Sequence, residues 1–352
     1  MRVVVAMSGG VDSSVAAALL VEQGHEVIGL SMQLYDHSGG QSFGSCCTLD
    51  DLHDARRVAD AIKIPHYILN FERQFAETVV SNFVHEYAAG RTPLPCAHCN
   101  SDLKFATLLE RARGLNAEQV ATGHYARVER SREGRWLLRR GADRAKDQSY
   151  FLAALTQAQL SRAAFPVGQL TKAEVRARAH DLGLKVADKE DSQELCFVPD
   201  RDYATFVARQ QPAVARAGSI VDGQGNTIGS HGGVHRFTVG QRKGLGVSVP
   251  TPLYVLKIEA ESGQVTVGPR TALERTALTA SAVNWIAADP PADWRRVAAQ
   301  IRHRHGAAHG LVRATRSDGA EFVFDEPQLA VAPGQAVVFY DADVVVGGGW
   351  ID

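Results

Sequence analysis

Hydrophobic and polar positions follow two different rhythms along the chain. Residues 3–7 (VVVAM) are a continuous apolar run, the pattern of a parallel strand buried on both faces. Val11, Val15, Ala18 and Leu19 then recur at helical spacing up to Gln23, and Gly24 stands where a C-cap is expected. Residues 27–32 form a second apolar run, so strand, Gly/Ser turn, helix and strand fit a βαβ unit of about 30 residues. The alternation continues. Leu52, Ala55, Val58, Ala59 and Ile62 mark a helix with Asp50 or Asp51 as N-cap; residues 66–69 read as a strand. Phe75, Val79, Phe83 and Tyr87 run along a helix over 71–89 that ends at Gly90, and Leu103, Phe105, Leu108 and Leu109 along one starting near Ser101. Residues 120–125 read as a core strand, 136–139 as a hairpin strand, and 146–152 as the start of a helix. A helix within 168–183 carries Thr171 and Glu174 at capping-box spacing. Strands and helices in alternation predict an α/β fold with a doubly wound parallel sheet.

After about residue 205 the helical period fades. Gly-rich turns separate short alternating runs at 219–221, 235–239, 254–258 and 264–267, and then at 277–285, 297–303, 311–315, 322–324 and 336–340, as in small β-barrels. The expected organisation is a catalytic domain over 1–205, a central small β domain over 206–275 and a C-terminal β-barrel over 276–352.

Composition adds limits. Hydrophobic residues at 45% and charged residues at 22% are ordinary for a globular protein. No run of 18 apolar residues and no signal-peptide pattern is present, so the expectation is a cytoplasmic protein with no membrane partner. Five cysteines do not make a secreted disulfide framework. The net charge of −1 means that nucleic-acid binding has to rest on local patches.

The chemistry concentrates first at Ser8-Gly9-Gly10-Val11-Asp12-Ser13-Ser14. The glycines let the backbone approach a ligand, the serines add hydroxyls, and the helix start offers free N–H groups to an anion. Asp12 can hold Mg²⁺ against phosphates. The loop lacks the Walker A lysine and resembles the pyrophosphate loop of the N-type ATP pyrophosphatases. Two further stretches carry thiols. Two prolines break residues 91–100 (RTPLPCAHCN) into an expected exposed loop with Cys96 and Cys99, and Cys196 lies in 191–197 (DSQELCF). Cys46 and Cys47 read as structural. Arg302 and Arg304 would share one face of a strand.

These blocks together resemble the tRNA-specific 2-thiouridylases, the tRNA-uridine 2-sulfurtransferases. The matching segments are 8–14, 90–105 (GRTPLPCAHCNSDLKF), 121–125 (ATGHY), 146–152 (KDQSYFL), 191–197, 238–247 (TVGQRKGLGV) and 347–351 (GGGWI), in family order over nearly the whole chain. The resemblance implies that ATP adenylates the C2 oxygen of the wobble uridine, position 34, of tRNAs for Lys, Glu and Gln, and that sulfur then replaces it. It implies Cys99 as nucleophile and Cys196 as persulfide carrier, with a Cys99–Cys196 disulfide at the end of the cycle. ATP contacts would be Ala6, Met7, Ser8, Gly9, Gly10, Val11, Asp12, Ser13, Met32 and Gly123. Contacts to tRNA would be Leu94, Pro95, Cys96, His124, Lys146, Asp147, Gln148, Arg302, His303 and Gln335. The glycines of 238–247 suit either a lid over the active site or a tight barrel turn. The implied protein partner is a sulfur donor, a cysteine desulfurase or a relay protein.

One position departs from the family. Many members carry Asp where this chain has Cys96. The resulting C-x-x-C with a distant third cysteine resembles iron–sulfur-dependent tRNA thiolases, so Cys96, Cys99 and Cys196 are alternative ligands of a [4Fe–4S] cluster. Another adenylating ligase of the same loop class, which needs neither Cys99 nor Cys196, is the remaining enzyme alternative. A zinc or RNA-binding module on Cys96, His98 and Cys99 would lack a fourth ligand and leave the ATP loop unexplained.

Overall fold

The structure is a computed structural model describing residues 1–35, 49–190, 195–198, 202–247, 249–315 and 318–352. Cys46, Cys47 and the first four residues of the 191–197 segment lie outside the described residues. The chain divides into two compact units. One comprises residues 1–79, 96–201 and 343–345; the other comprises 80–95, 202–342 and 346–352.

The first unit is built on a five-stranded sheet in the order His66–Asn70, Glu26–Gln33, Arg2–Ala6, Gln119–Ala121, Ala163–Ala164, with every pairing parallel. Its central strand explains the apolar run at the N-terminus, since Val3, Val4 and Val5 are all fully buried. Helices Val11–Glu22 and Leu49–Ala61 cover the sheet, and Val15, Ala16, Ala17, Ala55, Val58 and Ala59 share one core with Val3 and Val5. Small residues dominate the first helix, which lets it lie close to the strands. Helix Lys172–Asp181 packs its Val175 and Ala179 into the same core, and its capping box is present: Thr171 and Glu174 each bond the other's backbone N–H. An antiparallel hairpin, Ala126–Arg130 with Trp136–Arg140, completes the unit, and Arg127 and Arg139 both bond Asp343 at 2.6 and 2.7 Å.

Several elements differ from the pattern reading; the alternating run at 235–239, for one, begins in a 3₁₀ turn, Val234–Arg236, and forms no strand. Residues 91–100 are not wholly loop: a helical turn, Pro95–His98, runs into a π-helical segment, Cys99–Phe105, and on into helix Ala106–Gly114. Pro95 starts this helix instead of breaking it, because the first helical position needs no N–H. The helix expected over 71–89 is likewise interrupted by a π-helical turn, Ala76–Val80, between Glu72–Phe75 and Ser81–Ala88. The helix expected from 146 shrinks to a 3₁₀ turn, Ser149–Leu152, because the Asp147 carboxylate captures the Ser149 N–H and holds the chain in a tight turn before it.

In the second unit a four-stranded sheet, in the order Tyr254–Glu259, Gln264–Gly268, Gly218–Val221, Thr227–His231, has its own core of Ile220, Val234, Phe237, Leu245, Val255, Val265 and Val267. Helices Ser81–Ala88 and Tyr203–Gln210 pack together through stacked Tyr87 and Tyr203, centroids 4.6 Å apart. Strands Glu274–Trp285, Ala320–Leu329, Ala308–Ala314, Arg295–Gln300, Ala336–Asp341 and Val344–Ile351 form a closed barrel, since the first also pairs with the last. Phe322, Phe324 and Phe339 fill it. Closure removes the exposed sheet edges.

Candidate functional site

The Gly/Ser loop leaves the C-terminal end of strand Arg2–Ala6 and enters helix Val11–Glu22 through Gly10 in extended conformation. Gly9 is required twice over: its φ is +73°, and a Cβ there would meet the Asp51 carbonyl oxygen at 2.1 Å. The Ser13 and Ser14 hydroxyls donate to the Gly10 carbonyl at 3.1 and 2.8 Å, and the Ser8 N–H donates to Ser13 Oγ at 3.2 Å. The turn is thus held as a preformed concavity over a helix N-terminus, the geometry that binds phosphate. Gly123 forms its other wall, and a Cβ would stand 2.5 Å from the Ser13 nitrogen. Ala6 ends the strand half-buried, whereas Met7 and Val11 are core side chains, so these two can offer a nucleotide only backbone groups. Met32 is also buried, beside Leu69 near the C-terminal end of its strand.

Two lysines and a tyrosine missed by the pattern reading complete the loop. Lys172 Nζ bonds both Asp12 carboxylate oxygens, at 2.8 and 2.9 Å, and the Tyr125 hydroxyl donates to Oδ1 at 2.7 Å. Tyr125 is positioned by Gln148, whose Oε1 accepts from the Tyr125 N–H at 3.0 Å and whose own N–H bonds the Tyr125 carbonyl at 2.9 Å. Lys189 Nζ reaches the Gly9 carbonyl at 3.1 Å, Asp51 at 2.6 Å and Asp54 at 2.7 Å. Burial pulls the Lys189 ammonium down, but its bonds to Asp51 and Asp54 outweigh this and hold it above the ordinary lysine value. Two ammonium groups thus stand beside the cradle, each already paired with carboxylates, Lys172 with Asp12 and Lys189 with Asp51 and Asp54. Lys172 had a local signal, its place just after a helix cap. Lys189 had none.

Cys99 is buried and opens the π-helical segment; Cys96, one turn earlier, is exposed. π-helical turns recur at functional sites, where the extra residue re-aims a side chain. Asp102 on the same segment bonds His98 at 2.9 Å and Ser101 at 2.6 Å; burial raises its pKa, but these bonds outweigh that and hold it below the ordinary value. Cys196 is half-buried and accepts a hydrogen bond from the Tyr35 hydroxyl at 2.8 Å. Tyr35 meets Phe75 edge-on at 5.3 Å, and Phe75 meets Phe197 at 5.6 Å. Helix Glu72–Phe75 also lies against segment Cys99–Phe105, so both cysteine-bearing stretches converge on the helix that carries Phe75. Among the described residues no three His, Cys, Asp or Glu side chains are grouped to hold a metal ion. The donor set for a [4Fe–4S] cluster is therefore not assembled, with Cys96 turned to the surface while Cys99 is buried. Asp12, its two oxygens on the Lys172 ammonium, does not fit a resident Mg²⁺ site either.

The expected RNA contacts divide. His124 bonds Thr122 Oγ1 through Nδ1 at 2.7 Å and meets Phe165 edge-on; burial, with the Lys104 charge second, pushes it down to about 3, so it is a neutral imidazole. The Asp147 carboxylate is buried and accepts from Arg140, the Gly141 N–H, and the Ser149 N–H and hydroxyl, so it shapes the turn. Lys146 and Gln148 flank it, half-buried. In the second unit Pro95 is buried and Leu94 half-buried. Gln335 Nε2 donates to the Thr92 and Pro93 carbonyls at 3.2 and 3.3 Å, which ties the barrel to the segment leading into Leu94. Arg302, His303 and Arg304 are exposed, but in a turn and not on the expected strand. That strand ends at Gln300, whose amide donates to the Arg302 and His303 carbonyls.

A parallel sheet with a Gly/Ser anion loop, followed by two β units, defines a class. Residues 1–200 match the family model described as tRNA methyl transferase HUP domain, 204–269 its PRC-barrel domain, and 275–351 the aminomethyltransferase beta-barrel domain. The curated relatives are alike in name. The tRNA-specific 2-thiouridylase MnmA of Geotalea uraniireducens is 53% identical over 100% of this chain and 95% of its own length. That of Geobacter metallireducens is 52% identical over 100% and 96%, and that of Magnetococcus marinus 51% identical over 99% and 98%. The chain belongs to the tRNA-specific 2-thiouridylase family.

Proposed function

We propose that this chain is a tRNA sulfurtransferase that uses ATP to replace the C2 oxygen of the wobble uridine of tRNAs for Lys, Glu and Gln by sulfur. The observation that carries the reading is the union, in one compact unit, of an anion cradle flanked by Lys172 and Lys189 with Cys99 and Cys196 near one helix. A urea-like carbonyl oxygen is a poor leaving group, and adenylation makes it a good one. The uridine O2 attacks the α-phosphorus, the bond to the β-phosphate breaks, and pyrophosphate leaves into the cradle of residues 8–13, where the N–H groups of the helix start receive it. Mg²⁺ enters with the nucleotide phosphates. The terminal sulfur of a Cys196 persulfide attacks C2 and AMP departs. The Cys99 thiolate then attacks Cys196 Sγ, releasing 2-thiouridine and leaving a Cys99–Cys196 disulfide for an external dithiol to reduce. A persulfide-bearing desulfurase or relay protein reloads Cys196. Residues 1–205 carry this chemistry, and the β domains over 206–275 and 276–352 dock the tRNA, with Arg302 and His303 on phosphate. Mass spectrometry of bulk tRNA from a deletion strain is the test: 2-thiouridine disappears and returns with the wild-type gene but not with Cys99→Ser. A deletion strain with normal 2-thiouridine refutes the proposal.

A further inference from the structure

Cys196 has a neighbour that the reaction scheme above does not use. Tyr35 lies just beyond strand Glu26–Gln33, is buried, and points its hydroxyl at Cys196 Sγ from 2.8 Å. Its ring is fixed by the edge-on contact with Phe75, which in turn meets Phe197, the residue after Cys196. The ring that carries the hydroxyl and the residue next to Cys196 thus both pack on Phe75.

We infer that Tyr35 is a positioning residue for sulfur loading: its hydroxyl donates to Cys196 Sγ, holds the sulfur in one orientation and stabilises it as the thiolate that accepts sulfur from a donor persulfide. The inference rests on the role of Cys196 proposed above. In the loading step the Cys196 thiolate attacks the terminal sulfur of the donor persulfide. A new S–S bond forms, the donor's S–S bond breaks, and the donor leaves as a thiolate, so no outside oxidant is needed. The attacking group must be ionised. A phenol is a suitable partner because it gives a hydrogen bond without bringing a charge that would compete with the incoming persulfide. A hydrogen bond to an ionised group is among the stronger ones, and it favours the thiolate by roughly tenfold. A thiolate so stabilised is also a weaker nucleophile, with a Brønsted slope of about 0.4–0.5. The two effects partly cancel, so loss of the hydroxyl lowers loading by only about threefold while lowering the thiolate fraction about tenfold.

Tyr35→Phe tests this, because it keeps the ring against Phe75 and removes only the hydroxyl. Three quantities are read near neutral pH: thiolate absorbance against a Cys196→Ser baseline, the rate of persulfide formation at Cys196 from a small-molecule persulfide, and pyrophosphate release with tRNA and ATP. The expected result is a tenfold lower thiolate signal, threefold slower loading and unchanged pyrophosphate release. Unchanged absorbance and loading overturn the inference, and so does an equal fall in pyrophosphate release, which would mark a general structural role. The Cys196→Ser control separates the two levels. Full thiolation by Cys196→Ser refutes the proposed sulfur route, whereas the absorbance of Tyr35→Phe judges the hydrogen bond on its own.

Discussion

Replacing Lys172 by methionine isolates the charge that holds the pyrophosphate loop. The Lys172 side chain is 11% exposed and the Asp12 side chain 31%, with the ammonium on both carboxylate oxygens. Breaking a fully buried pair costs about 3–5 kcal/mol, because the surviving charge is stranded. Asp12 keeps nearly a third of its exposure, so water recovers part of that, and the expected loss is about 2 kcal/mol. For a domain of ordinary size this lowers the melting temperature by roughly 4–8 °C. Asp12→Asn strands the more deeply buried Lys172 charge and costs at least as much. The double variant Asp12→Asn, Lys172→Met strands neither, and Tyr125 keeps an oxygen acceptor. Its destabilisation should fall short of the sum of the singles by about 1–2 kcal/mol. Pyrophosphate release does not recover with stability: Lys172→Met and the double variant should both lose roughly a hundredfold, since both remove the ammonium beside the proposed pyrophosphate cradle. Thermal melts and pyrophosphate assays with tRNA on the four proteins make the comparison. Additive stabilities within about 0.5 kcal/mol would show that the pair does not hold the loop. Normal pyrophosphate release by Lys172→Met would remove the lysine from the phosphate site.

The remaining expectations follow from the same geometry. Gly123→Ala places a Cβ 2.5 Å from the Ser13 nitrogen. The displaced loop should lower pyrophosphate production about tenfold or more, and a normal rate would sever Gly123 from the site. Arg302→Ala should weaken tRNA binding and reduce the salt slope by about one unit per lost phosphate contact, at unchanged ATP affinity, and an unaltered salt titration counts against the barrel as docking surface. His66, His231, His235 and His305 are held below the ordinary histidine value first of all by burial, and His124 is pushed down to about 3. The unfolded chain therefore takes up protons first, so stability is full above about pH 6.5 and is lost as pH falls below it. Melts that do not weaken between pH 7.5 and pH 5 contradict this. Cys96→Ser should keep thiolation activity with an iron-free persulfide donor, and loss of activity together with an iron signal from the wild type would restore the cluster.

What could be read from the sequence was whatever is encoded locally. The parallel sheet was legible because Val3, Val4 and Val5 need apolar cover on both faces, and a run of that length without polar breaks has few other uses. The Thr171–Glu174 cap was legible for the same reason, since both partners lie within one turn. The Gly/Ser loop announced itself through Gly9, the only residue type that tolerates its φ and its contact with Asp51. Errors came where a local rule had two outcomes. Pro95 obeys the rule for a first helical residue as well as that for a helix breaker, and the strand rule carried Arg302 past Gln300, where a side-chain amide turns the chain.

The charges that surround the Gly/Ser loop were illegible because their partners are distant. Asp12 meets Lys172 across 160 positions and Gly9 meets Lys189 across 180, separations over which no period or motif operates. Only packing brings them together, and it does so through the same helix. Helix Lys172–Asp181 presents Lys172 at its first residue to Asp12, and Arg176, one turn later, donates to the Ala187 and Lys189 carbonyls. The stretch that carries Lys189 is thus pinned to the helix that carries Lys172, and both ammonium groups are delivered to the loop as one body. Seven residues beyond Lys189 lies Cys196. Lys189 bonds the Gly9 carbonyl on the loop side and Asp51 and Asp54 on the helix side, so any shift of Gly9 toward a bound phosphate loads those bonds directly. Motion of the Gly/Ser loop is thus coupled, through ordinary hydrogen bonds, to the stretch that carries Lys189 and to helix Leu49–Ala61.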